Sequence, residues 1–97
     1  MAENYEYPLI EGISVSEISD LIAFYNAVEA AYETNRGIAR DDFKMAYDRF
    51  RDIVPAKSEQ RQLQKKFAEA SGFEAYTVIK QFEQTDAKFI KVGDGNE

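Results

Sequence analysis

From Ile18 to Tyr32 the apolar residues Ile18, Leu21, Ile22, Tyr25, Val28 and Tyr32 recur at steps of three and four. Such steps stack side chains along one side of an α-helix, so the pattern predicts a long helix that buries one continuous stripe. Ser14 with Glu17 three residues later has capping-box spacing at its start. Gly37, behind Asn35 and Arg36, reads as a left-handed stop with a cation in the last turn. A helix over residues 14–36 at about 1.5 Å per residue is roughly 30 Å long. The rest of a 97-residue chain has to pack around it.

Proline and glycine divide the remainder. A second helix is expected over 39–54, with Asp41 and Asp42 at its positive end, a stripe of Phe43, Tyr47, Phe50 and Val54, and Pro55 as its stop. A third runs over 58–71 from Ser58 as N-cap, with Leu63, Phe67 and Ala70 as its stripe and Gly72 as terminator. A fourth covers 74–87 and carries Tyr76, Ile79 and Phe82; Phe89, Ile90 and Val92 either extend it or form a short extended piece. Residues 1–13 read as an extended leader, because Pro8 restricts the residue before it. Its apolar members Tyr5, Tyr7, Leu9 and Ile10 are placed to pin it across the helices. Residues 93–97 read as a frayed tail. The expected fold is all-α: a single domain, 1–97, forming a compact array of about four helices with short connections.

Composition limits the chemistry. There is neither Cys nor His, which removes the thiolate nucleophile, the imidazole base and the usual zinc ligands. No metal, cofactor or catalytic residue is therefore assigned, and an enzyme is disfavoured. No apolar run approaches the ~20 residues that span a bilayer. The amino end lacks a basic region followed by an apolar stretch, so no secretory signal is visible and the cytoplasm is expected. The net charge is −6, but it is divided: residues 1–35 hold seven acids and no base, whereas 36–66 hold nine bases and five acids.

Four features bear on function. Lys57, Arg61 and Lys65 recur at i, i+4 and i+8, about 200° from Leu63 at Arg61, and so occupy a face turned from the core. With Ser58 and Lys66 they make a candidate site for a small anion or an acidic protein, beside the free N–H groups of a helix start. The plainer reading is a solvated basic face. Residues 63–82 resemble a helix-turn-helix through Ala68, Gly72, Phe73, Thr77 and Val78. Gln81 departs from that pattern, and Lys80 stands against Glu74 and Glu83, a poor charge for approaching phosphates. Nucleic-acid binding is thus the alternative. Glu29 and Glu33, with Glu17 and Asp20 behind them, read as an acidic solvated face rather than a cation site. Most of the six tyrosines fall on helix stripes and read as packing residues.

Several ordered pieces resemble a known family: Tyr5-Glu-Tyr-Pro8, Ala31-Tyr-Glu33, Ala46-Tyr-Asp-Arg-Phe50, Ile53-Val-Pro-Ala-Lys-Ser-Glu59, and Ala70-Ser-Gly-Phe73 with Tyr76. Together they resemble the YktA-like family of short uncharacterised proteins from low-GC Gram-positive bacteria. The resemblance runs from about Tyr5 to Lys80. That family usually has a tryptophan near the start of its first helix, where this chain has Ile13 and Val15. The resemblance implies a small, all-helical, cytoplasmic protein and brings no activity or catalytic residue with it. The functional expectation is a non-enzymatic interaction or adaptor module. Self-association is a further expectation, with the acidic segment 1–35 of one copy meeting the basic face of another.

Overall fold

The computed structural model describes residues 6–93. Four helices, α1 (Val15–Glu33), α2 (Arg40–Ile53), α3 (Lys57–Ser71) and α4 (Ala75–Gln84), account for most of them. Two short strands, β1 (Ile38–Ala39) and β2 (Phe89–Ile90), pair antiparallel with Ile38 opposite Ile90 and Ala39 opposite Phe89. The fold is all-α apart from this strand pair. Tyr5 and most of the expected tail lie outside the described residues.

The first helix is the central one. Its N-terminus carries the capping box: Ser14 Oγ accepts from the Glu17 N–H, and the Glu17 carboxylate accepts from the Ser14 N–H. It buries Leu21, Phe24, Tyr25, Ala27, Val28 and Ala31, a wider arc than the stripe read from spacing, because neighbours press on it from more than one side. Phe24 stacks on Phe50 of α2 at 4.1 Å between ring centroids, and Tyr25 stacks on Phe67 of α3 at 4.6 Å. Phe43 and Tyr47 add to this cluster at 6.3 and 6.1 Å from Phe24. Each fully buried aromatic of this kind stabilises by about 1.5–3 kcal/mol through area alone, and offset stacking adds to that.

The leader lies across this cluster as expected. Tyr7 stacks on Tyr25 at 5.3 Å, and its hydroxyl donates to Glu29 Oε2 and approaches Asn26 Oδ1. In return the Tyr25 hydroxyl donates to the Pro8 carbonyl at 2.8 Å. Ile10 packs on the core edge while Leu9 stays half exposed.

The end of α1 differs from the sequence reading. The helix stops at Glu33 with Thr34 as its C-cap, before Gly37, and no base lies in its last turn. The cation comes instead from the far end of the chain. Lys91 Nζ donates to the Tyr32 and Thr34 carbonyls at 2.9 and 2.7 Å, and the Val92 N–H donates to Ala31 O at 3.0 Å. Carbonyls that a helix end leaves unpaired are thereby satisfied by the segment after β2. Arg36 instead lies over the Phe89 ring at 4.8 Å.

Gly37 therefore has another task. It adopts φ +82, and a Cβ there would sit 2.0 Å from the Ile90 carbonyl oxygen. It lets β2 pass directly over the turn, which brings Ile90 into the core with full burial. Residues 89–92 are thus an extended strap rather than a continuation of α4, which ends at Gln84. The strap closes over the Ile38 corner, where Arg40 N–H donates to Lys88 O and its guanidinium donates to Phe82 O at 2.7 Å while lying over the Phe82 ring.

Two predictions follow from these contacts. Gly37→Ala combines a left-handed φ with a backbone clash and should cost more than about 2 kcal/mol, whereas Gly72→Ala, at φ +85 with open space around it, should cost about 1–2 kcal/mol. Urea unfolding of both variants measures the difference. Burial holds the Tyr25 hydroxyl above its ordinary pKa, and burial does the same to Tyr47. The unfolded chain ionises these phenols near pH ~10 while the native state resists, so their contribution is complete below that pH and is lost as pH rises beyond it. The urea midpoint should fall between pH ~9 and ~11, and less steeply in Tyr25→Phe.

Candidate functional site

The corner between α2 and α3 is built differently from the expectation. Pro55 ends α2, but the N-cap of α3 is Ala56, in extended geometry at φ −80 and ψ 127, with no side-chain cap. This register puts Lys57 first in the helix and Ser58 second, too far along for its hydroxyl to cap. The role given to Ser58 is thereby corrected; it is an exposed helical residue. The corner is tied by Gln60, whose Nε2 donates to the Val54 carbonyl at 2.8 Å. Spacing held no signal for that contact, because a glutamine on a helix reads as solvated.

Lys57, Arg61 and Lys65 do share a face, and α4 turns that face into the wall of a groove. Arg61 and Lys65 line a concavity of about 550 Å³ with Gln64, Ala68, Glu69, Glu74 and Tyr76. Lys57 and Arg61 line a smaller one of about 200 Å³ with Tyr47, Gln60, Gln64, Tyr76, Ile79 and Glu83. Arg61, Gln64 and Tyr76 border both, so the two join into one groove between α3 and α4. Lys66 is separated from the other three. It lies beside Leu9, Ile10 and Glu11 of the leader, on another side of α3. None of the four cations forms an ion pair among the described residues; the pairs present are Lys44–Asp48, Arg51–Asp48 and Arg49–Asp20.

The opposite wall was not visible in the spacing. Helical spacing puts Tyr76 on the stripe of the fourth helix, yet it is 59% exposed, because α4 buries Ala75, Val78 and Ile79. The rotation of α4 is set at its first turn. Tyr32 Oη donates to the Glu74 carbonyl at 3.0 Å and accepts from the Glu74 N–H at 3.2 Å, and the Tyr32 ring stacks on Phe73 at 4.9 Å. The preceding turn is fixed by Ser71, whose hydroxyl donates to Phe67 O and accepts from the Phe73 N–H. With α4 held this way, Tyr76 projects into the groove, Lys80 sits 5.7 Å above its ring, and Glu74 and Glu83 face the cations of α3. The groove therefore holds both signs around an exposed aromatic: Lys57, Arg61 and Lys65 with Glu69 on the α3 side, and Glu74 and Glu83 with Lys80 on the α4 side.

The acidic residues of α1 are dispersed rather than convergent. Glu29 accepts from Tyr7, Asp20 pairs with Arg49 at 2.6 Å, and Glu33 is exposed. No group of three or more Asp or Glu among the described residues could hold a metal ion. Elsewhere the hydrogen bond from Lys44, reinforced by that from Arg51, holds the Asp48 carboxyl below its ordinary pKa. That cluster is exposed, so solvent screens most of its energetic effect. No helix among the described residues is long and apolar enough to cross a membrane.

What the fold and groove define is a small four-helix domain whose α3–α4 pair presents an open, charge-divided cleft. The uncharacterised protein family UPF0223 matches residues 4–91, and the chain belongs to that family. It is 40% identical to the UPF0223 protein YktA of Bacillus subtilis, over 91% of this chain and 98% of that protein. A UPF0223 protein of Oceanobacillus iheyensis is 38% identical over 92% of this chain and 99% of its own. One from Streptococcus thermophilus is 38% identical over 93% and 95%. These relatives come from low-GC Gram-positive bacteria, as the resemblance in the sequence implies.

The geometry of the corner sets a test. Ser58→Ala should change stability by less than a few tenths of a kcal/mol, whereas Ser14→Ala should cost about 1 kcal/mol, because only Ser14 caps a helix. The double reversal Lys57→Glu/Arg61→Glu should leave the melting temperature nearly unchanged, since both side chains are exposed and unpaired among the described residues. Thermal unfolding followed by circular dichroism measures all three.

Proposed function

We propose that this chain is a cytoplasmic, non-enzymatic protein-interaction module that receives a partner segment in the α3–α4 groove. One observation carries the reading: Tyr76 is 59% exposed between the acids Glu74 and Glu83 and a row of cations, Lys57, Arg61 and Lys65, that form no ion pair among the described residues. An exposed aromatic supplies contact area at low entropic cost, and flanking charges of opposite sign select orientation and register. The suited partner is a protein segment with an acidic edge laid on the α3 cations, an apolar residue against the exposed part of Tyr76 that Lys80 leaves open, and a base toward Glu83. A small anion would engage only Arg61 and Lys65 and would leave the tyrosine unused. Ser58 and Lys66, lying outside the groove, contribute at most to its electrostatic surroundings.

The acidic wall also weighs against nucleic acid. A phosphate backbone in this groove would run along Glu74 and Glu83 as well as along the lysines, and repulsion would offset much of the attraction.

Affinity capture from a native cell extract is the test, comparing wild type with Lys57→Glu/Arg61→Glu and with Tyr76→Ala. A protein retained by wild type and lost by both variants, whose binding then perturbs the amide resonances of Gln64 and Tyr76, supports the reading. Retention unaffected by either variant rejects it. A gel shift of labelled DNA or RNA at ~50 mM salt, abolished by the double reversal, would favour the nucleic-acid alternative, because the electrostatic attraction is strongest at low salt.

A further inference from the structure

A second surface, which shares no lining residue with the groove, lies between α1 and α2. Ala23, Ala27, Ile38 and Ala46 line an open apolar concavity of about 430 Å³. At its rim stands Met45, an unbranched apolar side chain that is 69% exposed. The interior clusters do not need it: α2 faces the core through Phe43, Tyr47 and Phe50. Exposed apolar residues scattered singly are ordinary, but an apolar projection beside an apolar hollow on the same face is not scattered.

The charges around the hollow narrow the occupant. Arg49 donates to Asp20 at 2.6 Å through one nitrogen. The rest of its fork of donors makes no further ion pair among the described residues. Asp42, on the same rim, is exposed and has no ion pair among them either. One face thus holds a projection and a hollow, and also a cation with spare donors and an acid that forms no ion pair among the described residues. A surface that contains both halves of each complementary pair fits a second copy of itself about a two-fold axis. An unrelated partner would have to carry the same combination independently.

We infer that the α1–α2 face is the contact surface of a reversible homodimer. Met45 of each copy enters the concavity of the other, and Arg49 of each pairs with Asp42 of the other. The arrangement buries the exposed methionines and uses a polarisable, adaptable side chain to fill an open hollow. It differs from pairing acidic residues 1–35 against the basic face, and it leaves the α3–α4 groove open for a partner.

Sedimentation velocity across a roughly hundredfold range of concentration tests this, because a reversible dimer obeys mass action. About 150 mM salt should be present to screen the net charge of each copy. Wild type should move from the mass of one chain toward two. Met45→Glu and Ala23→Arg, each at an exposed position, should keep the melting temperature and remain monomeric, and Lys57→Glu/Arg61→Glu should dimerise as wild type. Because the chain has no cysteine, chains carrying Met45→Cys mixed with chains carrying Ala23→Cys can cross-link only between copies. Mild oxidation should give that mixed disulfide at least tenfold faster than a mixture of Met45→Cys with a Glu74→Cys chain. A monomer at every concentration overturns the inference, as does a dimer insensitive to both face variants or one lost only in the Lys57/Arg61 reversal.

Discussion

The stacked pair Phe24–Phe50, with centroids 4.1 Å apart and rings nearly parallel, is the contact on which the other elements depend. It locks α1 to α2, and the neighbouring Tyr25–Phe67 stack locks α1 to α3. Adjacent residues on α1 thus serve two different helices. This is possible because the helix turns about 100° per residue, so Phe24 and Tyr25 point along different directions from one axis. The leader closes over Tyr25 through Tyr7, and the strap closes the carboxyl end of the same helix through Lys91 and Val92. Every described segment therefore reports directly or through one neighbour to α1.

That arrangement leaves α3 and α4 with outward faces that the core does not constrain. Only Leu63 and Phe67 of α3 are buried, and the rest of that helix is free to carry charge. Its row of cations alone would be an unremarkable solvated face. What makes it a groove is the rotation of α4, imposed by Tyr32 through the Glu74 backbone. A half-buried tyrosine thus positions the surface tyrosine, Tyr76, and with it Glu74 and Glu83. The proposed binding surface is a by-product of how the fourth helix is anchored.

Much of this was legible from local pattern. The four helices, the leader, the capping box at Ser14 and the exposure of Lys57, Arg61 and Lys65 follow from spacing, from proline and glycine, and from the side on which Leu63 lies. The departures share one cause. Gly37 reads as a helix stop but accommodates the Ile90 carbonyl, and Arg36 reads as the capping cation where Lys91 acts. Ser58 reads as a cap, but the helix begins at Lys57 because the turn after Pro55 places Ala56 at the boundary. Tyr76 reads as core because its spacing to Ile79 and Phe82 is helical, yet of the neighbours Ala75 and Tyr76 the fourth helix buries only Ala75. Periodicity cannot choose between them.

What the sequence determined by itself is therefore the set of helices, their approximate lengths and the absence of thiol and imidazole chemistry. Those properties belong to residues within a few turns of one another or to composition. Tertiary structure alone decided the strap at β2, the tie from Gln60 to Val54, the separation of Lys66 from the other cations, and the groove that holds both signs of charge. Each of these depends on the rotation or docking of one element against another. Such rotations are set by the sum of many packing contacts between residues distant in the chain, and that sum leaves no periodic trace in the order of the amino acids.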